Sequence, residues 1–294
     1  MDSKRFIRVL AFSTALSAVA QTPQHPDFSG AWSSATAIPL ERPAKLKDKA
    51  FYTPEEAAEA QKKGRGPDNN PMQPLETGSL MLPSRRTSII TDPPNGLLPA
   101  LTPAAAAAKK ARVERLHKPS EAKDMGTQDR CLVFPTSVAP MIPYRYNSNY
   151  QIVQTGDAVV VQAEMIHDAR IIRLDRTSHL PSNVRQWLGD SVGHWEGATL
   201  VVDSTNFNDA GGFYGDAGGM YGWDRNMHVV ERFSSLDANT ILYRFEVEDP
   251  TAYTQPWKGE LTFNRVLRPP FEYACAEGNQ DLPNILRLSA SQPK

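Results

Sequence analysis

The chain has 294 residues, 40% hydrophobic and 22% charged, with a formal net charge of -1, which suits one large domain or two small ones. A nearly neutral balance with no basic patch and no arginine–aromatic interleaving argues against a nucleic-acid binder. No apolar run is long enough to span a bilayer, which excludes a membrane helix.

Lys4, Arg5 and Arg8 precede the apolar run Val9–Val19, and Ala18-Val19-Ala20 matches the small-x-small cleavage site of a secretory signal peptide. No cysteine follows that site, which argues against a lipid anchor. The expected product is a soluble, exported chain of 274 residues, periplasmic or secreted, starting near Gln21. Its charge is -3, because Lys4, Arg5, Arg8 and Asp2 are gone. In an oxidising compartment Cys131 and Cys275 are read as a disulfide, with two buried thiols as the alternative.

Phe28-Ser-Gly-Ala-Trp32 reads as a short strand with an aromatic anchor, and residues 34–100 as irregular, proline-rich surface structure. Thr53-Pro54 followed by Glu55 and Glu56 starts a helix that runs to about Lys63; Thr102-Pro103 starts a second, to about His117. Residues 21–127 are thus an irregular region with two helices packing on a body at 128–294.

That body reads as β. Tyr150–Thr155 and Ala158–Leu174 flank a turn at Gly156-Asp157. His194-Trp195 and Ala198–Asn206 flank Glu196-Gly197, and His228–Leu236 and Thr240–Glu248 flank Asp237-Ala-Asn239. Trp257–Leu267 and Phe271–Cys275 complete about eight strands, with a short helix expected at Asn284–Ser289. Successive hairpins predict a mainly β, antiparallel meander closing as a barrel. There is no βαβ alternation and no glycine-rich phosphate loop, so neither a Rossmann domain nor a cofactor is expected.

The densest chemistry is the run Ala163-Glu-Met-Ile-His-Asp-Ala-Arg170. On a regular strand Glu164, Asp168 and Arg170 share one face and His167 the other, so Glu164 and His167 cooperate only if a bulge intervenes or the strand ends. The competing reading is an exposed ion-pair ladder. In His228-Val-Val-Glu231-Arg232-Phe, Glu231 sides with Val229 and Phe233, inward, as a general acid or base or as partner of a buried arginine such as Arg170 or Arg185. His167, His179 and His228 lack a recognised ligand spacing, so no metal is expected. Gly189-Asp-Ser191-Val-Gly193 matches a nucleophile pattern, but a short helix expected at Asn183–Leu188 before it and a strand after it make Ser191 a turn residue. Glu277, next to Cys275, is a weaker site candidate.

Ala210–Trp223 interleaves glycines with Phe213, Tyr214, Tyr221 and Trp223. It reads either as a flap over a pocket or as a long connection whose aromatics tuck under the sheet.

Tyr150-Gln-Ile-Val-Gln154, Glu164–Arg170, Arg185-Gln-Trp-Leu-Gly-Asp-Ser191, His228–Phe233 and Glu272-Tyr-Ala-Cys275 with Glu277-Gly-Asn279 together resemble a largely uncharacterised family of exported bacterial proteins common in acidobacteria. The resemblance implies export and brings no activity. Ala276 stands where that family often has histidine, and His194 where it often has arginine. Phe28-Ser-Gly-Ala-Trp32 also resembles the G-x-W opening of lipocalin-like barrels.

Two functions are compatible with these residues. One is a hydrolase or lyase acting on a small organic or carbohydrate substrate, with Glu164, His167, His228 and Glu231 as acid–base groups and Arg170 and Arg185 orienting an anionic group. The other is a non-catalytic barrel binding a small apolar ligand at a mouth lined by Tyr214, Tyr221 and Trp223. They are separated by whether the four acid–base groups meet in one cavity.

Overall fold

The computed structural model describes residues 25–46, 48–63, 81–144, 146–208, 212–213, 222–223 and 225–291, so the expected signal peptide lies outside the described residues. The strands are β1 (Gly30–Ser33), β2 (Ile90–Asp92), β3 (Asn149–Gln154), β4 (Ala158–Ala163), β5 (Ala169–Arg173) and β6 (Asp190–Glu196). They continue with β7 (Thr199–Thr205), β8 (Gly212–Phe213), β9 (Gly222–Trp223), β10 (His228–Asp237), β11 (Thr240–Glu248) and β12 (Trp257–Arg265). The helices are α1 (Pro54–Lys63), α2 (Pro103–His117) and α3 (Asp281–Ser291).

The helix starts follow their capping residues. The Glu56 N–H donates to Thr53 Oγ1 at 3.2 Å while Glu56 Oε2 accepts from the Thr53 N–H at 2.8 Å, a reciprocal cap on α1. Thr102 Oγ1 accepts from the Ala105 N–H at 3.1 Å and opens α2. The C-terminal helix is longer than the expected Asn284–Ser289.

Nine strands close into a barrel in the order β1, β3, β4, β5, β6, β7, β10, β11, β12, because β1 pairs with both β3 and β12; β2 pairs with Lys258 and Gly259 of β12, on the edge whose far end meets β1. Phe28–Trp32, at the edge of the irregular region, thus supplies the closing strand. A closed ring of nine cannot alternate in direction all the way round, so one seam must be parallel. That seam is β5–β6, with Ile172 opposite Ser191 and Arg173 opposite Val192. The expected antiparallel meander closing as a barrel is present, with this one parallel seam added. A parallel pair cannot be joined by a tight turn, and the chain between them crosses over from Leu174 to Gly189.

Glycines make the seam. A Cβ on Gly193 would lie 2.7 Å from Ile172 Cγ2, and Gly189 ends the crossover at φ +72°. The nucleophile-like pattern therefore reflects packing at this junction. The helix expected at Asn183–Leu188 does not form. Its amides bond elsewhere, Gln186 N–H to Asn206 O at 3.0 Å, in line with a bridge from Gln186 to Phe207.

Two further expectations change. Ala158–Leu174 is not one strand, because a 3-10 turn at Met165–His167 separates β4 from β5. Phe271–Cys275 is an irregular segment rather than a strand.

Alternate residues fill the barrel. Tyr150 and Ile152 of β3, Val159 and Val161 of β4, Phe233 of β10, Tyr243 of β11 and Phe263 of β12 are all buried. Phe233–Tyr243 and Tyr150–Phe263 ring centroids lie 4.9 and 5.0 Å apart, and Tyr243 meets Phe263 edge-on at 5.5 Å. The segment Val133–Ile142 enters this interior: Tyr150 Oη donates to Thr136 O at 3.1 Å, and the Met141 N–H donates to Tyr243 Oη at 3.0 Å. With Met141 and Ala139 fully buried, the interior is packed with protein.

Cys131 and Cys275 are disulfide-bonded, their Cα atoms 5.6 Å apart. No helix among the described residues is long and apolar enough to cross a membrane.

Candidate functional site

The end of β4 is the origin of the site. Ile166 and His167 follow Glu164 at φ 63° and 61°, left-handed for two consecutive side chains and costly for the β-branched isoleucine. The strand ends here, and the reversal brings Glu164 and His167 to the same cleft, which alternation along an unbroken strand forbids.

That cleft has a volume of about 320 Å³ and is walled on one side by Gln151 and Gln162. They are opposite each other across the β3–β4 hairpin, on the face turned away from the barrel interior. The other side is formed by residues 269–272, including Phe271 and Glu272. Glu164 Oε2 joins the walls, accepting from Asn149 Nδ2 at 3.3 Å and from the Phe271 N–H at 3.0 Å. His167 holds the next residues: its Nδ1 lies 3.0 Å from Tyr273 O, and the Tyr273 N–H donates to its Nε2 at 3.2 Å. A carbonyl only accepts and an amide only donates, so the hydrogen sits on Nδ1 and the Nε2 lone pair is engaged. His167 thereby clamps Tyr273 through both of its backbone groups.

Asp168 follows, half-buried, its carboxyl pushed up to about 6 by desolvation, with the Ser137 hydroxyl and the Phe134 backbone opposing. It does not line the cleft.

Arg170 and Glu231 lie in the barrel interior, 2% and 0% exposed. Arg170 Nη1 donates to Glu231 Oε1 at 2.8 Å and its Nη2 bonds Glu231 Oε2. Nη2 also reaches Ser204 Oγ at 2.8 Å, Nε reaches Ser191 Oγ at 3.0 Å, and Tyr243 Oη donates to Glu231 Oε1 at 2.7 Å. Each charge is answered by hydrogen bonds, the condition for burying it. Fully desolvated and next to the Glu231 charge, Tyr243 is held far above the usual phenol range. Ser191 is a strand residue in this network, which corrects its reading as a turn.

A third group lies on the outer wall. Asp190 accepts from Arg176, from the Leu180 N–H at 2.9 Å and from His179 Nδ1 at 3.0 Å. His179 Nε2 reaches Asp203 Oδ1 at 2.9 Å, and His228 Nε2 reaches Asp203 Oδ2 at 2.9 Å. The hydrogen bond that His228 donates to Asp203 raises the imidazole above its ordinary value, with Glu248 and Glu246 adding in the same sense. Asp203 is lowered; desolvation opposes this, and His228 and His179 outweigh it. This ladder ties the crossover to β6, β7 and β10.

Of the proposed acid–base groups, only Glu164 and His167 come together; Glu231 and His228 lie in two other places. Arg185 Nη1 donates to Arg225 O at 2.5 Å and Phe207 O at 3.4 Å, a loop brace. Tyr214, Tyr221 and the side chain of Trp223 lie outside the described residues, and β8–β9 is described only as a backbone ribbon. Glu277 is exposed beside the disulfide. Sequence reasoning missed Gln151, Gln162, Phe271, Asp190 and Asp203. The signal for the first two was their outward phase on β3 and β4.

No protein-family model matches the chain, and no curated protein does either. Among solved structures, a mutant of the fluorescent protein UnaG matches over 41% of this chain and 72% of that one, at 15% identity and a TM-score of 0.26. A likeness that low carries no argument about fold or function.

Proposed function

We propose that this is an exported, non-catalytic β-barrel binding protein that takes a small polar ligand in the cleft between the β3–β4 hairpin and residues 269–272. The observation that carries the reading is the cleft of about 320 Å³, where Gln151, Gln162, Glu164 and Glu272 stand among apolar residues, beside a barrel interior occupied by protein side chains. An apolar ligand inside the barrel would have to displace Met141, Tyr150 and Tyr243, all fully buried. Acid–base catalysis is disfavoured because His167 is engaged on both ring nitrogens and Glu231 is sealed with Arg170. The disulfide suits the oxidising compartment that the signal-peptide pattern and the family resemblance imply.

The test is a screen of small polar and apolar molecules by amide NMR on the disulfide-intact protein. Binding that shifts Gln162, Glu164 and Phe271 supports the reading; chemical turnover of a bound molecule, lost in Glu164→Gln, overturns it. Export is checked by the mass of the periplasmic product, expected to begin at Gln21.

A further inference from the structure

Glu164 is 5% exposed, and its two hydrogen bonds both fall on Oε2. Among the described residues Oε1 has no donor, although Glu164 lines the cleft. Oε1 is not among the buried side-chain atoms left without a partner, so solvent reaches it and it is free to accept from a bound donor. The remaining lining is mixed. Glu272 adds a second carboxylate, Gln151 and Gln162 offer amide oxygens as well as amide N–H groups, and among the described residues no lysine or arginine lines the cleft. Phe271 contributes a half-exposed ring that already carries a guanidinium, Arg268 Cζ lying 3.8 Å from its centroid. Arg268 itself is outside the lining.

From these groups we propose that the cleft recognises a small organic cation whose head donates N–H bonds, a primary ammonium or a guanidinium, with its donors on Glu164 Oε1 and its alkyl part against Phe271 and the adjacent prolines. The proposal rests on the binding function proposed above and names its ligand class. Two carboxylates with no lining cation disfavour an anion. A charged donor also gains more than a neutral hydroxyl, because charge-assisted hydrogen bonds are roughly twice as strong as neutral ones.

The experiment uses three probes with the disulfide-intact protein: 1,4-diaminobutane, its neutral counterpart 1,4-butanediol, and tetramethylammonium, a cation without N–H. The diamine is expected to shift the amides of Gln162, Glu164 and Phe271 and to bind at least about tenfold more tightly than either control, weakening as salt rises. Glu164→Gln is expected to lose about tenfold or more for the diamine and little for the diol. Glu272→Gln, at an exposed position, is expected to lose a smaller factor. Equal binding of diol and diamine at the cleft overturns the cation class and leaves the binding function standing. Tight tetramethylammonium binding overturns the N–H requirement. If none of these probes nor any molecule of the wider screen shifts the cleft, both readings fall.

Discussion

Arg170 and Glu231 meet in a two-point ion pair inside a closed barrel, both almost wholly removed from solvent. Arg170 comes from β5 at the parallel seam and Glu231 from β10, so the pair spans the interior rather than one hairpin. A buried pair contributes little net stability against a well-packed apolar substitute, but removing one partner strands the other charge. Glu231→Gln is expected to destabilise the protein by about 3–5 kcal/mol in urea unfolding. Ligand binding at the cleft should be unchanged in the folded fraction. The double substitution Arg170→Met with Glu231→Leu is expected to cost less than either single change, and a larger cost would show that the pair itself is a net source of stability.

Asp168 makes stability depend on pH in the unusual direction for a carboxylate. Its folded value of about 6 lies above the ordinary 3.8, so the folded state holds the proton more tightly. The stabilisation is complete below pH 3.8 and is lost as pH rises through about 6. Because the side chain is partly exposed, the full shift is discounted to about 1–2 kcal/mol. Asp168→Asn should therefore melt higher than the parent at pH 8 and not at pH 4. Identical melting differences at both values would show that Asp168 is not the group responsible.

His228 is raised above 6.5 by Asp203, so its contribution is present below pH 6.5 and disappears as pH climbs through the folded value. As the ring is more than a third exposed, the energy is below about 1 kcal/mol and is read better by titration than by melting. The NMR midpoint of His228 is expected above 6.5 and should fall in Asp203→Asn. Glu246 and Glu248 should hold back part of that fall.

The disulfide closes a long loop and also anchors one wall of the cleft. Cys275 lies two residues beyond Tyr273, the residue that His167 grips through both backbone groups. Replacing both cysteines by serine is expected to cost about 4–5 kcal/mol on loop-entropy grounds. Hydrogen exchange should show faster opening of the Phe271 and Tyr273 amides, while amides of β10 and β11 retain the protection order of the parent. Equal loosening of wall and barrel would mean that the bridge acts on global stability alone.

Much of the barrel was legible from local signals. Alternation in Val229–Phe233 put Glu231 inward, and the pairing with Arg170 was one of the readings it allowed. Thr53-Pro54 and Thr102-Pro103 marked two helix starts because capping depends only on neighbours within a turn. The cleft was harder to see. Period-two alternation assumes an unbroken strand, and Ile166 and His167 break it with left-handed backbone that a β-branched isoleucine does not advertise. Gln151, Gln162 and Phe271 are ordinary surface residues until a distant segment is laid across them.

The amino-acid pattern by itself determined the class of fold, the hairpins, the helix caps and the inward phase of most strands, since each depends on side chains a few residues apart. Tertiary structure alone decided that the ring holds nine strands with one parallel seam, that Val133–Ile142 fills the interior, and that Pro269–Tyr273 settles over the end of β4. Those outcomes rest on pairings between segments well separated in the chain, such as Met141 with Tyr243, Glu164 with Phe271 and Trp32 with Arg265. Their free energy comes from closing the ring and burying shared surface, and neither quantity belongs to any local stretch of chain.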